Sequence, residues 1–133
     1  MKKVIKDIAA STRARLLNIA RSENIDFDFL LLRFFQERFL YRLSISDFSQ
    51  HFILKGGLLL VCLNIPKSRP TIDIDLLAKR IKNNPTEIKK AISSIAQISF
   101  DDGAVFAHSS ITTEQIKKDA DRYLLAKFLK VIA

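Results

Sequence analysis

The sequence predicts an α/β (α+β) domain, a small mixed β-sheet with flanking helices, on three observations. Apolar residues recur at helical intervals from Asp26 to Leu43, the mark of an amphipathic helix. Between Thr71 and Ala78, Ile72, Ile74 and Leu76 alternate with Asp73 and Asp75 at the period of a strand. A second strand, Phe52-Ile53-Leu54, ends on Lys55-Gly56-Gly57, and helix-compatible segments stand on either side of this pair.

At 133 residues, 48% of them apolar, the chain fits one domain with a real core, spanning 1–133. Lysine and arginine exceed the acids by 8 charges, which points to a polyanionic partner: a nucleotide, an RNA or an acidic protein surface. Cys62 is the single cysteine, in an apolar run, so a disulfide framework and a cysteine-based zinc site within the chain are excluded. Behind Met1-Lys2-Lys3, the charges Lys6, Asp7, Arg13 and Arg15 break up any signal-peptide core. No uncharged apolar run reaches the roughly 18 residues of a membrane span, so a cytoplasmic protein without membrane contact is expected.

In chain order, Val4 to Arg21 reads as a helix with a ragged apolar face of Ile5, Ile8, Leu16 and Ile19. The next helix is the most regular, with Phe29, Leu32, Phe35, Phe39 and Leu43 as core and Arg33, Glu37, Arg38 and Arg42 interleaved; that basic face is expected to stay available to a partner. Leu58 to Leu63 suits a short helix stopped by Asn64 and Pro66. Asn84-Pro85-Thr86-Glu87 has the grammar of a helix start: a capping asparagine, a proline in the first helical position, and a glutamate three residues after the cap. Asp101-Asp102-Gly103 reads as a turn, Ala104 to Ala107 as a strand, and the spacing of Ile116, Ala120, Tyr123, Leu124, Phe128 and Val131 favours a terminal helix.

Chemistry concentrates between Lys55 and Asp75. Aspartate is disfavoured inside a strand, yet Asp73 and Asp75 lie two apart, on one face and about 7 Å apart along the strand, close enough to reach one metal cluster. Strand, glycine turn and helix start form a natural phosphate cradle, because glycine lets the backbone approach an anion and a helix start offers unpaired amides. Each feature alone is weak, since glycine pairs mark many turns and strand ends often carry acids. Together they suggest a magnesium triphosphate site: amide donors for phosphate and carboxylates for a divalent metal that prefers oxygen. His51 is more simply a surface or capping residue than a phosphate ligand, and His108 has no second histidine or cysteine at metal-ligand spacing. Ser109-Ser110 and Thr112-Thr113 lack a matched base.

With these residues, the sequence resembles the AbiEii/AbiGii toxin-type nucleotidyltransferases of the DNA polymerase β-like superfamily. The resemblance runs from about Thr12 to Asp121 and rests on Arg13 to Asn18, Glu37 to Leu43, Phe52 to Gly57, Arg69 to Leu76 and Asp101 to Phe106. It implies the catalytic half of a nucleotidyltransferase. Gly56 and Gly57 would hold the triphosphate, Lys55 and Arg69 would be nearby basic residues, and Asp73 and Asp75 would bind Mg2+. The implied reaction transfers a nucleoside monophosphate from a nucleoside triphosphate to an acceptor hydroxyl, on tRNA or another RNA in some relatives, by a toxin with a cognate antitoxin. Relatives continue past the tyrosine corresponding to Tyr123 with a glycine-containing strand, a strand bearing a third carboxylate, and a helical domain with a lysine. Here the sequence reads Leu124 to Lys130 and then Ala133, so a domain lacking the family's C-terminal portion is expected, with an exposed sheet edge that self-association would cover. Two other readings stay open: a relative that binds nucleotide, RNA or a protein partner without turnover, and a basic RNA- or protein-binding module whose acids are structural.

Overall fold

A computed structural model describes residues 7–55, 74–81, 84–107, 111, 114–115, 122–126 and 129–132. Among them, helices α1 (Ile8–Glu23) and α2 (Phe27–Ile45) precede strands β1 (Phe52–Lys55) and β2 (Ile74–Ala78); helix α3 (Pro85–Ala96) and strands β3 (Glu114–Gln115), β4 (Arg122–Ala126) and β5 (Leu129–Ile132) follow. The strands form one mixed sheet in the order β1-β2-β5-β4-β3, in which only β2 and β5 run parallel. This is the α/β architecture with a small mixed sheet that the sequence predicts.

Each helix begins where a short polar side chain caps it. Asp7 Oδ1 accepts from the Ala10 amide at 3.0 Å, Asp26 Oδ1 from Asp28 at 2.8 Å, and Asn84 Oδ1 from Thr86 at 2.8 Å, each satisfying an otherwise orphaned donor. Pro85 occupies the first turn of α3, where its missing N–H costs nothing. At the other end of α1, Asn24 takes the left-handed conformation (φ 52°) and its amide returns to Ala20, a geometry asparagine tolerates. The core lies between α2, α3 and one face of the sheet: Phe39, Leu43, Phe52, Ile74, Leu76, Ile88, Ala91, Ile92 and Ile95 form one buried cluster. Phe35 and Phe39 meet Phe106 edge-on with ring centroids 6.1 and 5.8 Å apart; Phe39 is core, and Phe35 is half-buried beside it.

Arg42 departs from its expected place on an available basic face. It is buried to 1% exposure, and its guanidinium makes five hydrogen bonds. Nη1 and Nη2 grip the two carboxylate oxygens of Asp102 at 2.8 and 3.0 Å, while the carbonyls of Ile98, Arg38 and Ala104 take the rest at 2.9, 3.1 and 3.0 Å. All the donor capacity of the side chain is used, which makes its burial tolerable. Asp102 lies in the predicted turn, where Gly103 has φ 81° and the position of an added Cβ would fall 2.9 Å from Thr12 Oγ1 and 3.1 Å from Ala9 Cα, so glycine lets the turn close on α1.

Two expectations for the second half fail. Residues 104–107 do not form a strand: the Ala104 amide donates to Asp102 Oδ1 at 3.0 Å and its carbonyl accepts from Arg42, so side chains take groups a ladder would use. The predicted terminal helix is replaced by β3, β4 and β5, because the open side of β2 offers a ladder to Leu129–Ile132, which pairs with it and with β4 despite the helical spacing of the sequence. The proposed helix at Leu58 to Leu63 and residues Cys62 and His108 lie outside the described residues.

Burial alone pushes the Asp102 carboxyl up, but the Arg42 hydrogen bond, the Ala104 amide and the charges of Arg42 and Arg38 outweigh it and hold the group below its ordinary range. A depressed folded value means stabilisation that is complete above the unfolded carboxylate value and lost as pH falls through the folded one. Urea unfolding from about pH 7 down to pH 2 should show a decline in the acid range that Asp102→Asn flattens. At neutral pH the same substitution should cost about 3–5 kcal/mol, because it leaves a buried guanidinium without its counter-charge. An unchanged urea midpoint would show that the pair is incidental.

Candidate functional site

The β1–β2 ladder sets the site. The strands run antiparallel with Phe52 opposite Ala78, Ile53 opposite Leu77, Leu54 opposite Leu76 and Lys55 opposite Asp75. Alternation sends Phe52, Leu54, Ile74, Leu76 and Ala78 to the core and leaves Ile53, Leu77, Lys55 and Asp75 on the other face. Leu76 is 0% and Ile74 1% exposed, so the residues on either side of Asp75 are anchored in the core. Opposed residues on one face have Cβ atoms about 4.5–5.5 Å apart, which places Lys55 and Asp75 as direct cross-strand neighbours. Among the described residues neither forms an ion pair, although both are only half-buried and carry opposite charges.

On its other side β2 runs parallel to β5, with Lys130 at the register position of Asp75. The Asp75 position is thus flanked by a lysine position on each neighbouring strand. Sequence reading missed Lys130, because the spacing around it suggested a helix and no motif marks it. His51 stands at the far end of β1, where its Nδ1 is 2.9 Å from the Lys79 carbonyl and its own carbonyl accepts from the Lys79 amide at 2.7 Å, extending the ladder by one step. It serves the sheet there.

Of the residues singled out by sequence, Lys55 and Asp75 are brought together, while Gly56, Gly57, Arg69 and Asp73 lie outside the described residues. Asp75 offers a hard carboxylate oxygen donor with no ion pair among the described residues, chemistry that suits Mg2+. No helix among the described residues is long and apolar enough to cross a membrane.

Residues 38–130 match the family model described as the nucleotidyl transferase AbiEii toxin of a type IV toxin–antitoxin system. That match spans more than half of the chain, from the second half of α2 into β5, and the chain belongs to this family of nucleotidyltransferase-like toxins. Neither a comparison with curated proteins nor one with solved structures gives a match.

The site's scaffold and its charged group should separate under mutation. Leu76→Ala should lower stability by about 2–5 kcal/mol, the usual cost of a cavity at a fully buried leucine. Asp75→Ala should change it by less than about 1 kcal/mol, since no described partner is lost. Chemical denaturation of both variants checks this; a large loss at Asp75 would make that aspartate a structural residue.

Proposed function

We propose that this chain binds a nucleoside triphosphate with Mg2+ at the edge of the sheet where β1 ends and β2 begins, and transfers a nucleoside monophosphate to an acceptor hydroxyl. The observation that carries the reading is the antiparallel register setting Lys55 opposite Asp75. Gly56 follows Lys55 and Asp73 precedes Ile74 in the chain, and one residue step is about 3.8 Å, which favours a shared edge for the glycine pair and the acids.

In this reading Asp73 and Asp75 supply carboxylate oxygens to the metal, and the backbone amides of Gly56 and Gly57 meet the phosphates. Lys55 and Arg69 offset the phosphate charge from the protein side. Magnesium, when bound, would neutralise phosphate charge and help orient the α-phosphate. The acceptor oxygen forms a bond to the α-phosphorus as the bond to the β-phosphate oxygen breaks, releasing pyrophosphate, and the hydroxyl proton passes to a base or solvent. The net charge of +8 and the family membership support an RNA acceptor such as tRNA, a cognate antitoxin in the same system and a cytoplasmic setting.

Labelled nucleotide offered with Mg2+ and total RNA should be transferred by the native chain and not by an Asp73→Ala/Asp75→Ala double variant; equal labelling by both would reject these roles. A second reading, nucleotide binding without turnover, is favoured by Lys130: the strand beside β2 sets a lysine, not an acid, at the register position of Asp75. Mg2+-dependent nucleotide binding with no labelled product would select it.

A further inference from the structure

Helix α1 has only one buried residue, Ala20, among its 16. Most helical stability in proteins comes from a packed apolar face, so a helix this lightly covered leaves surface to be used. Thr12, Leu16, Ile19 and Glu23 fall on one stripe of it at helical spacing. Leu16 and Ile19 border a shallow groove of about 310 Å³ against Phe34 of α2, with Arg15 and Arg38 at its Thr12 end. Ile19 is 42% exposed, high for a large apolar side chain.

The charges on this groove are in surplus. Asp102 is already gripped by Arg42, and Arg38 stands 3.8 Å from it, beyond hydrogen-bond distance, with its guanidinium over Tyr41. Among the described residues Arg15 meets the Thr12 hydroxyl, at 3.4 Å, and no acid. Glu23, at the other end of the stripe, is exposed and has no ion pair among the described residues. Arg15 and Glu23 lie one helical turn before and one after Ile19, so the stripe reads cation, apolar centre, anion.

Such a stripe is self-complementary. We infer that α1 and the groove beside it form an interface between two copies of this chain, with the α1 helices crossing antiparallel at Ile19. A two-fold axis there sets Arg15 of each copy against Glu23 of the other and covers Leu16, Ile19 and Phe34. Arg38 adds a second cation at each end. The local charge balance permits this: residues 7–45 hold six arginines against five acids, whereas the chain as a whole carries +8. A polyphosphate strand would find little net attraction on this hairpin, and two copies would feel little net repulsion.

Sedimentation of the full chain across a concentration range tests it. The native chain should form a dimer, and Ile19→Glu, which changes an exposed position and leaves the core intact by circular dichroism, should be monomeric at the same concentrations. Arg15→Glu and Glu23→Arg alone should each weaken the dimer about tenfold, and together they should return it to within about threefold of native, since the swapped pairs attract again. The double swap keeps the test valid if Ile19→Glu misfolds. A chain that is monomeric throughout, or a dimer indifferent to Ile19→Glu or not rescued by the double swap, would overturn the interface.

Discussion

The buried pair of Arg42 and Asp102 is the constraint on which the helical half of the molecule depends. A guanidinium sealed from water is stable only when its donors are met, and here one side chain gathers a carboxylate and three carbonyls from α2 and from the segment after α3. That one residue joins α2 to a turn 60 positions later. Because the guanidinium is planar and its fork matches the carboxylate, the clamp fixes orientation as well as proximity. It holds Phe106 against Phe35 and Phe39, with the Arg42 guanidinium itself 5.1 Å from the Phe106 ring centre.

With α2 and α3 held together, the sheet has a surface to pack on, and among the described residues the buried cluster lies on one of its faces. Leu54, Ile74 and Leu76 go into the core, so alternation leaves Lys55 and Asp75 on the other face at neighbouring register positions. Two opposite charges so close gain little from each other in solvent, and no ion pair joins them here. Among the described residues neither charge has an ion-pair partner. The scaffold is apolar on one side, and the charged pair proposed to meet the ligand stands on the other side of the same few residues.

Much of the first two-thirds of the fold was legible because local signals agreed with tertiary ones. Asp26 and Asn84 cap the helices they precede, and Phe52 and Ile74 begin strands whose alternation matches their burial. Of the candidate site, the placement of Asp75 on the face away from the core was legible for the same reason, since an aspartate between buried isoleucine and leucine is conspicuous. What sequence could not supply was partnership. Arg42 looks like its neighbours Arg33 and Arg38 until Asp102 is known to reach it, and Ala104 to Ala107 looks like a strand until its backbone groups are found bonded to side chains. The segment from Arg122 to Ile132 has helical spacing, but its conformation is decided by the open edge of β2, a feature elsewhere in the chain.

The central claim is that the end of β1 and the start of β2 form one cation and phosphate site. Paramagnetic broadening by Mn2+ in place of Mg2+, read on backbone amides with a nucleoside triphosphate present, tests it most directly, since broadening falls steeply with distance from the ion. The account predicts that the amides of Lys55 and Asp75 lose intensity first, while those of Asp26, Asp28 and Asp101 keep theirs. Selective broadening at those other acids, or uniform loss across the chain, would contradict it.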